Sequence, residues 1–118
     1  MAIVSVTNAK LKFNKAGDIP AAVAVDATDG ARVSFKNKED ARILIILENA
    51  ASAAKTATVK AGGGLQGVND LTIQLAASAE TAIVLESGPY VQTEGENRGY
   101  VVITGTDANV KVAAIELP

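Results

Sequence analysis

Hydrophobic residues in this chain occur in short stretches separated by Gly, Asn, Asp and Ser, a spacing typical of an all-β sandwich or barrel. The clearest stretch is residues 71–75 (LTIQL), in which apolar and polar residues alternate. That period of two predicts a strand with one buried face. Residues 42–47 (RILIIL) are apolar at both parities, which predicts a central strand that is covered on both faces.

The remaining strands follow from shorter β-branched and leucine-rich stretches. They are predicted at residues 3–7, 32–35, 56–60, 81–85, 100–104 and 109–117. Residues 49–54 (NAASAA) are predicted to be a hairpin loop, because six residues are too few for a helix without tertiary support. Residues 76–80 are predicted to turn the chain so that 81–85 runs back. Gly88 and Pro89 end that strand before a short segment at 90–92.

The last two strands are predicted to form a hairpin through residues 105–108 (GTDA). In the final strand, Val110, Val112 and Ala114 share one face, whereas Ile115 and Leu117 have the opposite parity. A bulge near Ala113 and Ala114 would explain this change, and so would a strand that is buried on both sides. Both interpretations remain open from the sequence.

The 118 residues are expected to form one domain, residues 1–118, of close to the commonest domain size. Residues 1–31 are its least regular part and are predicted to be an N-terminal arm or irregular extension. Lys10, Lys12 and Lys15 lie there, followed by GDIP at 17–20 and the turn-forming DATDG at 26–30. An arm of this kind is a natural place for mobility and partner contact.

The chain contains no histidine and no cysteine. It therefore lacks the usual general acid–base group at neutral pH, the commonest transition-metal ligands and any disulfide. Its net charge is −2 with both signs interspersed, so no basic field attracts nucleic acid or an anionic membrane. We expect no enzyme activity, no cofactor and no metal, and no nucleic-acid or membrane partner.

The N-terminus (MAIVSVTNAK) lacks the charged and long apolar regions of a secretion signal. The longest apolar run, residues 43–47, is much too short to cross a bilayer. The expectation is a soluble protein made in a cytoplasm.

Four short clusters of residues are candidates for chemistry. Gly62, Gly63 and Gly64 follow a predicted strand, but no Lys-Ser/Thr follows them, so a tight turn is favoured over a phosphate loop. Glu94 and Glu96 could form a carboxylate pair on a strand. They lie instead in a glycine-rich loop at 94–99, where nothing would desolvate them, and a solvated loop tip is favoured.

Asp26, Asp29 and Gly30 faintly resemble a calcium loop, but the spacing is wrong and the distal glutamate is missing. Asp107 and Asn109 are explained equally well by turn chemistry.

A site that binds carbohydrate or single-stranded nucleic acid would need aromatic side chains on which the ligand can stack. The chain has only four aromatic residues: Phe13, Phe35, Tyr90 and Tyr100. We expect both tyrosines at the edge of the core, with their hydroxyls directed to water.

Three phrases in the second half of the chain resemble a known family. They are RILIILENAA (42–51), TVKAGGGLQGVNDLTIQLAASAETAIVLESGPYVQ (58–92) and GYVVITGTDANVKVAAIEL (99–117). The first phrase gives a strand ending in Asn, and the second gives a Thr-Val strand, a glycine-rich loop and an ESG/GP turn. The third phrase gives an ITGTDA-type segment followed by a closing Val-Ala-Ala strand. This order resembles the head-decoration (minor capsid or cement) proteins of tailed bacteriophages, and residues 1–41 carry little of the likeness.

The resemblance implies an antiparallel β-sandwich, β-tulip or jelly-roll-like, that binds and stabilises the outside of a phage capsid. Its partners would be the major capsid protein or other virion subunits and further copies of itself, often as a homotrimer. The virion surface would then be its location, and the shell-binding surface is expected in residues 1–15, 62–70 and 94–99. No residue-level site is carried over, because the family offers no catalytic motif.

Alternatives remain open at this point. One is another phage or prophage structural module, such as a tail or fibre protein. A second is an adhesion module of immunoglobulin-like type. A third is a ligand- or carbohydrate-binding sandwich, which an apolar groove lined by both tyrosines would support and burial of those tyrosines would oppose.

Overall fold

The computed structural model describes residues 2–36, 38–62 and 69–118. Within these ranges the strands are β1 (Val4–Val6), β2 (Asn8–Lys10), β3 (Val23–Ala24), β4 (Ala31–Ser34), β5 (Ile43–Asn49), β6 (Lys55–Val59), β7 (Leu71–Leu75), β8 (Glu80–Ile83), β9 (Tyr100–Gly105) and β10 (Val110–Glu116). A 3-10 turn lies at Asp40–Arg42, and a four-residue helical turn, α1, lies at Ser87–Tyr90.

The strands form two sheets that pack against each other, which confirms the predicted all-β sandwich. The first sheet has the order β1-β4-β9-β6-β7, and the second has the order β2-β10-β5-β8, with β3 also paired to β10. Most pairs are antiparallel, but β1 runs parallel to β4 and β2 runs parallel to β10. The two sheets are therefore mixed only at the edges that the N-terminal strands supply.

The core lies between the sheets and is built by alternate residues of each strand, as the period of two predicts. In β7, Leu75 is fully buried, and Leu71 and Ile73 pack against the core from the same face. In β5, Ile43, Ile45 and Leu47 are buried, while the residues between them are only half-buried. The prediction that this strand is covered on both faces is therefore wrong, because its second apolar face looks outward.

The final strand is buried on both faces over a continuous register. Val110, Val112 and Ala114 face the core, and Ala113 and Ile115 are buried on the opposite side. Every residue from Val110 to Glu116 pairs in sequence with β5, without an extra residue. The change of parity therefore comes from two-sided burial and not from a bulge.

Three connections expected to be hairpins lead instead from one sheet to the other. β9 pairs with β4 and β6 in the first sheet, whereas β10 pairs with β5 in the second, so the predicted final hairpin is wrong. The loops after β5 and β7 likewise connect strands of different sheets. Turn residues were placed correctly, but such residues end a strand equally well in a hairpin and in an arch between sheets. Among the described residues, β6 and β7 are the consecutive strands that pair directly.

The N-terminal strands reach both sheets. The chain passes from β1 in the first sheet to β2 in the second at Thr7. Residues 11–22, called the arm from here on, leave the second sheet after β2 and return to it at β3. Across the described ranges, no helix is long and apolar enough to cross a membrane.

Candidate interaction surfaces

One end of the sandwich, called the arch end, holds the three connections between sheets. These connections follow β5, β7 and β9, and they are held together by Asn49, the last residue of β5. Its side-chain amide donates to the carbonyl oxygens of Ala53, Leu75 and Ala76 at 2.9, 3.2 and 3.1 Å. Its Oδ1 accepts from the main-chain N–H of Ala51 at 2.9 Å.

Asn49 is only 1% exposed, and it is the one polar or charged side chain in the buried class among the described residues. A buried amide is tolerated when its donors and acceptor are satisfied. Its own N–H also donates to Ala79 O, and Ala50 N–H donates to Asn109 O in the third arch. This hub fixes the arch end, and its role is structural. Sequence reasoning missed it, although the buried parity of Ile43, Ile45 and Leu47 continues to position 49.

The opposite end, called the open end, holds parts of the segments expected to bind a partner. β9 begins there, so the last residues of loop 94–99 lie at this end, whereas Glu96 and Asn97 extend back over the outer surface of the first sheet beside Arg32. β6 ends and β7 begins at the open end, which places the two described ends of the 62–70 loop at the same end. Lys10 pairs with Glu116, the last residue of β10, so the arm also leaves from the open end. The described start of the expected 1–15 segment lies instead toward the arch end, where Val4 N–H donates to Gly30 O and Val4 pairs with Ala31.

Hydrogen bonds join the two sheets at the open end. Asn8 Nδ2 in the second sheet donates to Ser34 O in the first sheet at 3.2 Å and to Glu116 Oε1 at 3.0 Å. Lys38 Nζ lies 2.9 Å from the same Glu116 oxygen. Burial raises the pKa of Glu116, but the hydrogen bonds from Lys38 and Asn8 outweigh it, and the pKa lies below its usual value.

The base of the 62–70 loop is tied to residues 86–92. Gly62 N–H donates to Pro89 O at 2.8 Å, and Gln92 Nε2 donates to Ala61 O at 3.0 Å. Asp70 accepts from Ala61 N–H and pairs with Lys60 at 2.8 Å, and these two contacts lower its pKa. The predicted turn at Gly63 and Gly64 lies outside the described residues.

Loop 94–99 is held by cationic side chains around Tyr100. The guanidinium of Arg32 lies 4.4 Å from the centre of the Tyr100 ring, and Lys36 Nζ lies 4.6 Å from it, both within cation–π range. Arg32 Nη1 also donates to Glu96 O and Asn97 Oδ1 at 3.3 and 3.2 Å. These contacts give the loop a defined shape on the outer surface of the first sheet.

The acidic candidates behave as loop and turn residues. Glu94 and Glu96 are exposed, as expected of a solvated tip. Asp26 Oδ2 accepts from the N–H groups of Thr28 and Asp29, which is an Asx turn. Asp107 Oδ1 accepts from Asn109 N–H. No cluster of three or more metal-ligating side chains is present in the described parts of the chain.

Asp107 has a second role at the arch end. Its Oδ2 lies 2.8 Å from Lys55 Nζ, and the Lys55 contact together with Asn109 N–H lowers its pKa. The pair joins the third arch to the start of β6. This partner could not be predicted from the local pattern, because 52 positions separate the two residues.

The aromatic residues do not share one environment. Tyr90 packs against the core, and Tyr100 lies under Arg32 and Lys36 on the first sheet. Phe35 is buried, whereas Phe13 in the arm is 77% exposed. Both tyrosines are half-buried, but only Tyr90 lies at the core edge as predicted; Tyr100 lies on the outer face of the first sheet, because Val101 and Ile103 take the core parity of β9.

The chain matches no family model, and no curated protein or solved structure is significantly similar to it. Evidence for its function therefore has to come from its own surfaces.

Proposed function

We propose that this protein is a non-catalytic structural subunit of a tailed-phage particle, which binds the outside of the head shell through its open end. Its partner would be the major capsid protein, and it would act as a homo-oligomer, in the trimeric form that suits threefold points of an icosahedral shell. The observation that carries the proposal is the meeting of three segments at one end of the sandwich. These are the base of loop 94–99, the base of the 62–70 loop and the start of the arm.

The order of loop 94–99 supports a docking role. Arg32, Asn97 and Tyr100 hold the loop through cation–π and hydrogen-bond contacts. A surface that is ordered before it binds loses less conformational entropy on docking than a flexible one. The open end therefore offers a preformed contact surface instead of a loop that must fold onto its partner.

The arch end is occupied by an internal hydrogen-bonded hub. There Asn49 is buried and its polar atoms are used internally. Lys55 and Asp107 also pair with each other. The open end also has internal pairs, Lys38 with Glu116 and Lys60 with Asp70, so it is preferred for docking only because the three segments meet there.

Attachment to a repeated shell does not require strong single contacts. When several copies bind one lattice, each later contact is made at a high effective concentration, and avidity raises the overall affinity. A protein that binds the intact shell but not its dissociated subunits also stabilises the shell by linkage. Both effects need only a folded module with a docking end.

The proposal is tested with particles made from a phage genome that lacks this gene. Purified protein is added to these particles, and the mixture is separated on a density gradient. We expect the wild-type chain to sediment with the heads in many copies per particle. Recovery of the protein only at the top of the gradient, or only with tails, would contradict head decoration.

A matched pair of variants locates the docking end. Arg98→Glu places a negative charge on the open end, and Ala53→Glu places one on the arch end; both positions are exposed. We expect Arg98→Glu to reduce sedimentation with heads by at least about tenfold, since like-charge contacts at an interface cost several kcal/mol. Ala53→Glu should sediment like the wild type, and the reverse order would assign docking to the arch end.

A further inference from the structure

The arm carries an exposed aromatic side chain at the tip of a tight turn. Lys12 and Lys15 pair across this turn, with Phe13 and Asn14 between them. Asn14 adopts a positive φ of 57°, which Asn tolerates better than most residues. Phe13 is 77% exposed, and Ile19 further along the arm is 80% exposed. The tip therefore presents apolar surface between two cations.

The outer face of the second sheet is also apolar. Leu44 and Ile46 of β5 look outward because their neighbours in the strand face the core. Ile115 pairs with Leu44, and Ala113 and Ala82 lie on either side of Ile46. Val84 directly follows β8, two residues after Ala82, and lies on the same outer side; it is 57% exposed. Ala113 and Ile115 are themselves buried, at 2% and 8% exposure, so the accessible apolar surface, called the outer patch, is formed by Leu44, Ile46, Ala82 and Val84 on and beside two strands.

An acidic row borders the outer patch on the side of the arch end. Glu48 of β5 and Glu80 of β8 lie directly opposite each other. Lys111 of β10 lies on the other side of Glu48, so the row keeps one excess negative charge. Like charges directly opposite in neighbouring strands are destabilising. Among the described residues, neither glutamate forms an ion pair within 4.0 Å.

The arm contains the complementary pair. Lys12 and Lys15 are also like charges opposite each other, and they too form no ion pair with any described residue. Paired residues on neighbouring strands have Cβ atoms about 5 Å apart, so the two lysines and the two glutamates have matching separations. Ile46 and Glu48 are successive outward residues of β5 and therefore lie about 7 Å apart. With Phe13 placed over Ile46, a lysine side chain beside it can span that distance and reach Glu48.

We propose that the arm turn of one copy docks on the outer patch of a second copy. Phe13 would cover Ile46 and its neighbours, and Lys12 and Lys15 would pair with Glu48 and Glu80. Each docked pair would relieve a like-charge repulsion in both chains. This inference names the surfaces of the proposed self-association and rests on that part of the proposed function, but not on the identity of the shell.

The contact joins two different surfaces, so each copy keeps one free arm and one free patch until a ring closes. This arrangement is heterologous, and it accommodates a closed trimer as well as other rings. It also leaves loop 94–99 outside the contact, so that side-by-side association and docking on a shell can take place together.

The test uses purified protein alone and measures molar mass by light scattering after size exclusion. We expect the wild-type chain to have a mass several times its 12.0 kDa protomer mass. The double variant K12E/K15E and the double variant E48K/E80K should each remain monomeric. A 1:1 mixture of the two should associate again, because each arm then meets a patch of opposite charge.

Two further variants separate docking from folding. Phe13→Ser should weaken association by at least about tenfold, as expected when an aromatic anchor is removed from an interface, while Phe13→Leu keeps most of it. Arg98→Glu at the open end serves as the charge control and should associate normally. All variants should melt near the wild-type temperature, because the altered side chains are exposed or half-buried.

Other results would overturn the inference in distinguishable ways. A wild-type chain that stays at the protomer mass at millimolar concentration would contradict self-association itself. A wild-type oligomer that is unaffected by both charge swaps, or a mixture that fails to reassociate, would contradict the arm-to-patch contact and leave the proposed oligomer standing. Neither result depends on whether the protein binds a shell.

Discussion

Asn49 donates a hydrogen bond from its side-chain amide to the carbonyl oxygen of Leu75, at 3.2 Å and across the gap between the two sheets. Asn49 ends β5 in the second sheet, and Leu75 ends β7 in the first. The contact therefore ties together two strands that the hydrogen-bond ladders do not connect. It is the centre of the hub that fixes the arch end.

Replacing Asn49 with alanine should destabilise the fold by about 2–4 kcal/mol, because buried carbonyl groups and the Ala51 N–H lose their partner. Urea unfolding measures this change. Asn109→Ala, an exposed side chain in the third arch, is the matched control and should cost less than about 0.5 kcal/mol. Equal effects at the two positions would mean that the hub contributes no special stability.

Two glycines with nearly the same positive φ should respond differently to alanine. Gly30 (φ +80°) has the Ile103 carbonyl oxygen where a Cβ would lie, whereas Gly95 (φ +76°) has open space there. Gly95→Ala should cost about 1–2 kcal/mol for the left-handed conformation alone. Gly30→Ala should cost clearly more, because the backbone must also move. Thermal unfolding of both variants provides the comparison, and a smaller loss for Gly30→Ala would contradict the tight packing of this turn.

Ile45→Asp should prevent folding, since Ile45 is fully buried in a central strand and a charge there has no partner. Circular dichroism and size exclusion distinguish an unfolded chain from a folded one. Thr72→Asp, on the exposed face of β7, is the control and should remain folded. A folded Ile45→Asp variant of native stability would contradict the position of β5 in the core.

Removal of the acidic side chains predicted from the sequence to be solvated should have little effect. Glu94→Ala and Glu96→Ala should change the free energy of unfolding by less than about 0.5 kcal/mol, as is usual for exposed positions. Asp107→Ala should have a small effect, somewhat larger than the other two, because it removes a solvent-exposed ion pair with Lys55. Chemical denaturation measures all three, and a large loss at Glu94 or Glu96 would show that the loop tip is more than a solvated surface.

Stability should be nearly constant from neutral pH down to about pH 5 and fall below that. Asp70, Asp107 and Glu116 have folded pKa values below the ordinary 3.8 of Asp and 4.5 of Glu. A lowered folded pKa adds stability that is complete above the unfolded value and is lost as the pH falls through the folded one. With no histidine in the chain, no ordinary side chain titrates between pH 5 and 8.

Melting temperature as a function of pH checks this prediction. Glu116→Gln should flatten part of the acid-side slope, because the glutamine cannot be protonated and loses the charge that pairs with Lys38. A steep change in stability near pH 6 would contradict the assignment of the slope to these carboxylates.

Most of the strands could be predicted from the sequence because period-two burial is a local property. β2 and β3 could not, because they are only three and two residues long and lie in the segment 1–31 predicted to be an arm or irregular extension. Residues 71–75 were placed without error, and the β5 and β10 segments were found within one or two residues. Sheet membership could not be predicted in the same way. Gly105 and Asp107 end a strand whether the chain folds back in the same sheet or crosses to the other, so the pairing depends on distant strands.

The outward apolar face of β5 shows a second limit of the pattern. Leu44 and Ile46 have the same hydrophobicity as core residues, so the run predicts a strand covered on both sides, whereas these two residues are only half-buried. Hydrophobicity alone does not distinguish a face buried within the chain from one available to another copy. Asn49, by contrast, could have been found, since a polar residue at a core parity requires partners.

The most direct measurement is electron cryomicroscopy of phage heads with and without this protein. The proposed function predicts added density on the outer surface of the shell, with loop 94–99 toward the capsid and Asn49 at the far end. Neighbouring copies should contact each other through Phe13 and Ile46. Density that is absent from the head, or that places the arch end against the shell, would contradict the proposed role.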